Sequence, residues 1–172
     1  MKSLISKRLI LAVTVILFTI LCSFSAQAAE KKKVTYTDKQ IQQISKEDVY
    51  PGDVPKHKIS QSVQKYISTT SDPDFGPADC RSYAQLDSVA GTGTHRGYYL
   101  CNQKNGDKIH GKLEGTHKLT VKEGGAWEVN SEGKFQITGG TGKFKNIKGG
   151  GVYKGTTTAK GATREGEFEV EY

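Results

Sequence analysis

From Ile59 onward the chain alternates with period two. Ile59, Gln61, Val63, Lys65 and Ile67 fall on one side, and Ser60, Ser62, Gln64, Tyr66 and Ser68 fall on the other. Side chains of an extended strand point to opposite faces in turn, so this rhythm predicts strands with one face on a core. No helical stripe returns after this point, and turn residues recur roughly every eight to twelve positions, the pattern of an antiparallel sandwich or barrel. About eight strands are expected, to within one, from nine candidate segments: 58–69, 80–90, 96–104, 107–115, 117–122, 126–130, 134–138 with a crossing segment, 150–158 and 165–172.

Three hairpins have a mechanism. Asn105-Gly106 suits a two-residue type I′ turn, which would set Asn102 opposite Ile109, Leu100 opposite Gly111 and Tyr98 opposite Leu113. Ser131-Glu132-Gly133 suits a three-residue loop pairing Val129 with Phe135 and Trp127 with Ile137. Gly91-Thr92-Gly93-Thr94 suits a third turn, which brings Cys80 and Cys101 near each other but about two positions per strand off direct opposition. The last residues alternate Phe168, Val170 and Tyr172 against Glu167, Glu169 and Glu171. A strand ending there needs a partner, and the strand at 58–69 would close a barrel and remove the exposed edges.

Before Ile59 the reading differs. Lys2, Lys7 and Arg8, the apolar run Leu9–Cys22, and Ala26-Gln27-Ala28 follow the three-part order of a secretory signal peptide cleaved after Ala28. The apolar run is short of the roughly 20 residues of a spanning helix, so no stable membrane insertion is expected once it is removed. Leu21 before Cys22 argues against a lipid-modified cysteine. Residues 29–57 read as an extension, with Asp38 capping a short helix that carries Ile41 and Ile44, ended by Pro51 and Pro55. The barrel domain is then 58–172, the protein periplasmic or secreted.

Composition changes meaning under this reading. The chain has 172 residues, a net charge of +7, 35% hydrophobic residues and a mean hydropathy of -0.54. Removing the first 28 residues leaves 144 and takes away three positive charges and no negative one, so the mature charge is +4. All 20 glycines remain, about twice the average usage. Two cysteines remain, Cys80 and Cys101, and in an oxidising compartment such a pair reads as one disulfide, free buried thiols being the alternative.

The most distinctive stretch is Gly139-Gly140-Thr141-Gly142-Lys143-Phe144, continuing through Ile147 and Gly149-Gly150-Gly151-Val152-Tyr153 to Gly155. It resembles the GGTGxFxxIxGxGxYxG run of small secreted bacterial proteins of unknown function, themselves similar to the allene oxide cyclase and dirigent barrels of plants. Asn105-Gly106-Asp107-Lys108 is similar to their Asp-Gly-Asp-Lys hairpin. The resemblance covers roughly 58–172. It implies an all-β, eight-stranded antiparallel barrel with a short helical turn at Thr141–Phe144, where Phe144 and Ile147 plug one mouth. No catalytic residue of the plant enzymes maps onto a position here.

Motifs for other chemistry are absent. Gly139–Lys143 lacks the spacing of a phosphate loop, and no GxSxG elbow, CxxC or HExxH occurs. His57, His95, His110 and His117 read as surface or edge histidines, with no metal and no cofactor implied. His110 falls opposite Cys101 in the Asn-Gly register, which would allow an activated thiolate only if the disulfide were absent. Lys143, Lys145, Lys148 and Lys154 read as a solvated face, and no nucleic-acid partner is expected. What remains is a barrel able to hold one small, largely apolar ligand, or a partner, without catalysis. Tyr98, Asn102, Trp127, Phe144 and Tyr153 are the candidates for its lumen or mouth. The rival readings are a cofactor-free isomerase or cyclase using a buried lumenal carboxylate or water-binding amide, and a protein that self-associates through the barrel exterior.

Overall fold

A computed structural model describes residues 31–172, and the expected signal peptide lies outside the described residues. Eight strands follow one another: β1 (Lys32–Val49), β2 (His57–Thr70), β3 (Ala78–Val89), β4 (Thr92–Asn102), β5 (Lys108–Val121), β6 (Trp127–Gly140), β7 (Lys148–Thr158) and β8 (Gly161–Glu171). Each pairs antiparallel with the next, and β8 pairs with β1, so the sheet closes into a barrel. The eight-stranded antiparallel barrel that the resemblance implies, one of the two architectures the alternation allows, is the fold observed.

The first correction lies in 29–57. No helix forms at Asp38–Ile44, which belongs to β1. The spacing of three between Ile41 and Ile44 comes from two irregularities in register against β2, between Gln40 and Gln42 and between Gln43 and Ser45. Each isoleucine is the extra residue of a bulge and lies exposed, so the apparent helical period records two bulges. The barrel therefore begins at Lys32. The C-terminal strand closes on Lys32–Lys39 rather than on the strand at 58–69.

The second correction concerns Ser131-Glu132-Gly133, which is the middle of β6 and not a turn. A Cβ on Gly133 would meet the Glu114 carbonyl oxygen at 2.2 Å and the Tyr153 hydroxyl at 2.6 Å, so this glycine admits close approach across the wall. The turn before β6 is at Lys122–Ala126 instead, where Gly124 and Gly125 have φ of 79° and 80°. The Lys122 N–H donates to Ala126 O at 2.7 Å. Residues 107–115 and 117–122 are likewise one strand, β5.

The Asn105-Gly106 hairpin forms with its register moved by one residue: Asn102 faces Lys108, and Tyr98 faces Lys112. The Gly106 N–H donates to Gln103 O at 3.0 Å and the Gln103 N–H to Asp107 O at 2.8 Å, a three-residue loop with left-handed Gly106. Asn105 selects it, because its Oδ1 accepts the Asp107 N–H at 3.0 Å. The third turn is at Ala90-Gly91, earlier than expected, and this sets Cys80 directly opposite Cys101.

Those cysteines form a disulfide with Cα atoms 4.0 Å apart. The bridge closes a loop of 21 residues in sequence separation, which restrains the unfolded chain. Cys80→Ala combined with Cys101→Ala is expected to lower unfolding stability by roughly 3 kcal/mol, read by urea denaturation.

One end of the barrel is shut by an apolar plug. A 3₁₀ turn at Gly142–Phe144 drives Phe144 inward to 0% exposure, against Phe75, Ile147, Val34 and Val170. The turn is pinned from both sides: the Thr141 hydroxyl accepts the Lys108 N–H at 2.9 Å, and the Asp107 carboxylate accepts the Lys143 N–H at 3.2 Å. The loop between β2 and β3 latches over it, with Asp74 taking Lys143 Nζ at 2.8 Å and the Tyr172 hydroxyl at 3.1 Å. Lys32 pairs with the buried Asp72 of the same loop. The Thr-Gly-x-Phe plug expected from the resemblance thus has a physical counterpart in these contacts.

Candidate ligand site in the barrel lumen

Beyond the plug the lumen becomes aromatic and then polar. Inward positions bring Tyr36 and Asp38 from β1, Tyr66 from β2, Tyr99 from β4, Phe135 from β6, Tyr153 from β7, and Arg164 and Phe168 from β8 around one cavity of about 80 Å³. Wall glycines make room for these rings. A Cβ on Gly111 would lie 2.4 Å from the Tyr99 hydroxyl oxygen, and one on Gly166 would lie 2.8 Å from the Tyr36 ring. Much of the glycine excess therefore lies in the barrel wall, outside the turns.

At the centre, Arg164 Nη1 lies 3.6 Å from Asp38 Oδ2. The guanidinium also sits over the Tyr66 ring at 5.6 Å and the Tyr153 ring at 5.3 Å. A planar, weakly hydrated cation suits this aromatic setting better than an ammonium would. Apolar rings complete the wall, with Tyr36 edge-on to Phe135 at 5.7 Å and Tyr99 edge-on to Phe135 at 5.9 Å. The disulfide forms part of the same surface through Cys101.

Burial sets the electrostatics. Asp38, 6% exposed, is pushed up to about 6 by desolvation, against the opposing pull of Arg164 and Ser68. Burial raises the Tyr36, Tyr66 and Tyr99 hydroxyls and takes Tyr153 to about 12, so all four are neutral hydrogen-bonding groups at ordinary pH. His95 drops to about 4 through burial, reinforced by His117 and Arg164, and His117 is lowered mainly by burial. His95 Nε2 lies 2.5 Å from the Tyr153 hydroxyl, and the His95 and His117 rings are 5.7 Å apart. Two polar atoms of the cavity wall have no hydrogen-bond partner: Asp38 Oδ1 and the Tyr99 hydroxyl.

A pH signature follows. The folded pKa of Asp38 lies above its unfolded value of 3.8, so its contribution to stability is full below 3.8 and lost as pH rises through about 6. His95 runs the other way, contributing above 6.5 and losing it as pH falls through about 4. Asp38→Asn removes the carboxyl's contribution and leaves that of His95 in place. Acidification from pH 7 to pH 4 is expected to destabilise this variant more than the native protein, by about 2–3 kcal/mol in urea titrations.

The five candidates read from sequence are dispersed. Tyr153 lines the cavity at 4% exposure, and Phe144 lies in the plug. Tyr98 points outward, 60% exposed beneath Lys112, because the one-residue change of hairpin register exchanges it with Tyr99. Asn102 has the same outward parity at the end of β4. Trp127 is 40% exposed at the far rim, where β6 begins. The histidines also divide: His57 bridges Asp53 and Asp87, and His110, exposed, meets Thr138, while His95 and His117 point inward. His110 faces Leu100 rather than Cys101, whose sulfur is held in the disulfide.

Asp38, Tyr36, Tyr66, Tyr99 and Arg164 were not among the sequence candidates. The signal for Tyr66 is present, since it stands on the serine-rich face that turns out to be the inner one. Asp38 and Arg164 carry no such signal, because a charge on a strand normally marks its solvent face.

No family model matches the chain, and no curated protein does. Among solved structures it is similar to a pterocarpan synthase dirigent protein, at 13% sequence identity and a TM-score of 0.46, with 87% of this chain and 93% of that chain covered.

Proposed function

We propose that the protein is a binding module, exported to an oxidising compartment, that holds a small, largely apolar molecule in the barrel lumen. The observation that carries this reading is the cavity itself: apolar on the side of Phe135, Phe168, Leu113 and Ile137, and polar at Asp38, Tyr99 and Arg164, with two buried polar atoms lacking partners. Leaving such atoms unpaired costs about 1–3 kcal/mol each, which a fold kept only for its packing has no reason to bear. The signal-peptide pattern and the Cys80–Cys101 bridge support export.

The test is titration with cyclopentane, followed by NMR of the side-chain methyls. Saturable shifts at Leu113, Ile109 and Ile137 are expected, with the exposed Val121 and Val152 methyls unmoved. No shift at saturating cyclopentane would contradict the reading.

A second reading is favoured by the position of Asp38. A buried carboxylate with its pKa near 6 and an arginine beside it suits a cofactor-free isomerase that moves a proton next to a carbonyl. Cyclopentanone in D₂O tests it. Asp38 would take an α-proton, the enolate oxygen would be held by Arg164, and deuterium would return to the same carbon. Exchange faster than in buffer, and lost in Asp38→Asn, supports this reading; exchange at the buffer rate removes it.

A further inference from the structure

The two unpartnered atoms, taken with the charges around them, define what the lumen accepts. Asp38 Oδ1 is buried and makes no hydrogen bond, and the Tyr99 hydroxyl is buried and makes none. Both residues line the same cavity, together with Arg164. Two further buried polar atoms do not belong to it: Asp72 Oδ2 is paired with Lys32 at the plug, and His117 Nδ1 lies toward the opposite rim. An ionised carboxylate can only accept, while a neutral tyrosine can donate. The cavity thus presents one acceptor and one donor that no protein group pairs.

Charge narrows the choice. Asp38 and Arg164 already neutralise each other at 3.6 Å. An anion drawn to Arg164 would meet the Asp38 carboxylate, and a cation drawn to Asp38 would meet the guanidinium. Either ion would also give up its hydration for a site whose opposite charge is already paired. A hydrocarbon would fill the apolar wall but leave both polar atoms unpaired. Size sets the last limit: a cavity of about 80 Å³ admits only a small head group.

We infer that the lumen selects a neutral head group carrying both a hydrogen-bond donor and an acceptor, of the lactam or amide class, with its N–H on Asp38 and its carbonyl on Tyr99 and Arg164. This rests on the lumen being a binding site, and names the chemistry of that site. The N–H donates to Oδ1, the Tyr99 O–H donates to one lone pair of the carbonyl, and an Arg164 N–H reaches the other. The remaining ring carbons lie against Phe135 and Phe168.

Four probes of about five or six heavy atoms separate the possibilities at pH 8, with the disulfide intact: 2-pyrrolidone, cyclopentane, butyrate and cyclopentylammonium, each titrated against the lumenal methyls. The expected order places 2-pyrrolidone about fivefold tighter than cyclopentane and about tenfold tighter than either ion. Tyr99→Phe brings 2-pyrrolidone and cyclopentane to similar affinities. Asp38→Asn leaves Arg164 uncompensated, and butyrate then binds about tenfold tighter than to the native protein. The inference is overturned if either ion equals 2-pyrrolidone on the native protein, or if both substitutions leave the order unchanged. Cyclopentane binding alone would then keep the lumen as an apolar site while removing the lactam assignment. Silence from all four probes would remove both.

Discussion

Phe144→Ala is expected to lower the unfolding free energy by about 3–5 kcal/mol, the range for removing a fully buried aromatic ring from a core. The ring has no solvent exposure and fills the point where the barrel end must close. Phe75 lies 5.3 Å from it and Tyr172 5.4 Å, centroid to centroid, and the Phe75 ring in turn touches Phe168 in the lumen wall at 5.6 Å. Truncation removes contacts to the latch loop, the chain terminus and the wall together. Collapse cannot refill the space, because the 3₁₀ turn is held by Thr141 and Asp107, not by the ring. For a domain of this size the loss corresponds to a fall in melting temperature of about 10 °C or more, read by calorimetry. A change below about 1 kcal/mol would mean that the plug is not packed as described.

Arg164→Leu is expected to cost a similar amount, about 3–5 kcal/mol at pH 8, for a different reason. The substitution leaves the Asp38 carboxylate ionised, buried and without its counter-charge. Losing Arg164 removes the principal influence that holds the Asp38 pKa down, so it rises further. The destabilisation should therefore shrink as pH falls to 5 and the carboxyl takes a proton. The double variant Asp38→Asn, Arg164→Leu should recover most of the loss at pH 8, since no buried charge remains. Equal destabilisation by the single and double variants at both pH values would show that Arg164 acts through packing alone.

Much of the architecture was legible because strands announce themselves by alternation. Ile59–Ser68 reads as a strand in either register, and the apolar–acidic alternation of Phe168, Val170 and Tyr172 marks β8. What the alternation hides is any strand that breaks its own rhythm. In β1 the bulges at Ile41 and Ile44 shift the period twice, and the segment imitates a helix. Gly133 misled in another way. Glycine between alternating residues signals a turn, but here it is the wall residue that lets Tyr153 lie across the barrel.

The site was less legible than the fold, and the reasons can be traced to particular residues. Tyr98 and Tyr99 are adjacent, so the choice between surface and lumen depends on one residue of hairpin register. That register was set by the Asn105 side chain bonding Asp107, a contact that the dipeptide Asn-Gly does not reveal. Asp38 and Arg164 come from the two strands that close the barrel, 126 positions apart in sequence, and they meet only because β1 pairs with β8 in the register Asp38 to Arg164. Tyr153 could be placed because its strand, β7, pairs with both neighbours without a shift of register.

The central claim is that the lumen binds a small molecule, and the most direct test is a high-resolution crystal structure of protein purified from its native source. The account predicts non-protein density bounded by Asp38, Tyr99, Arg164 and Phe168, within hydrogen-bonding distance of Asp38 Oδ1 and the Tyr99 hydroxyl. A lumen closed by side chains, with Asp38 Oδ1 and the Tyr99 hydroxyl bonded to protein groups, would contradict it.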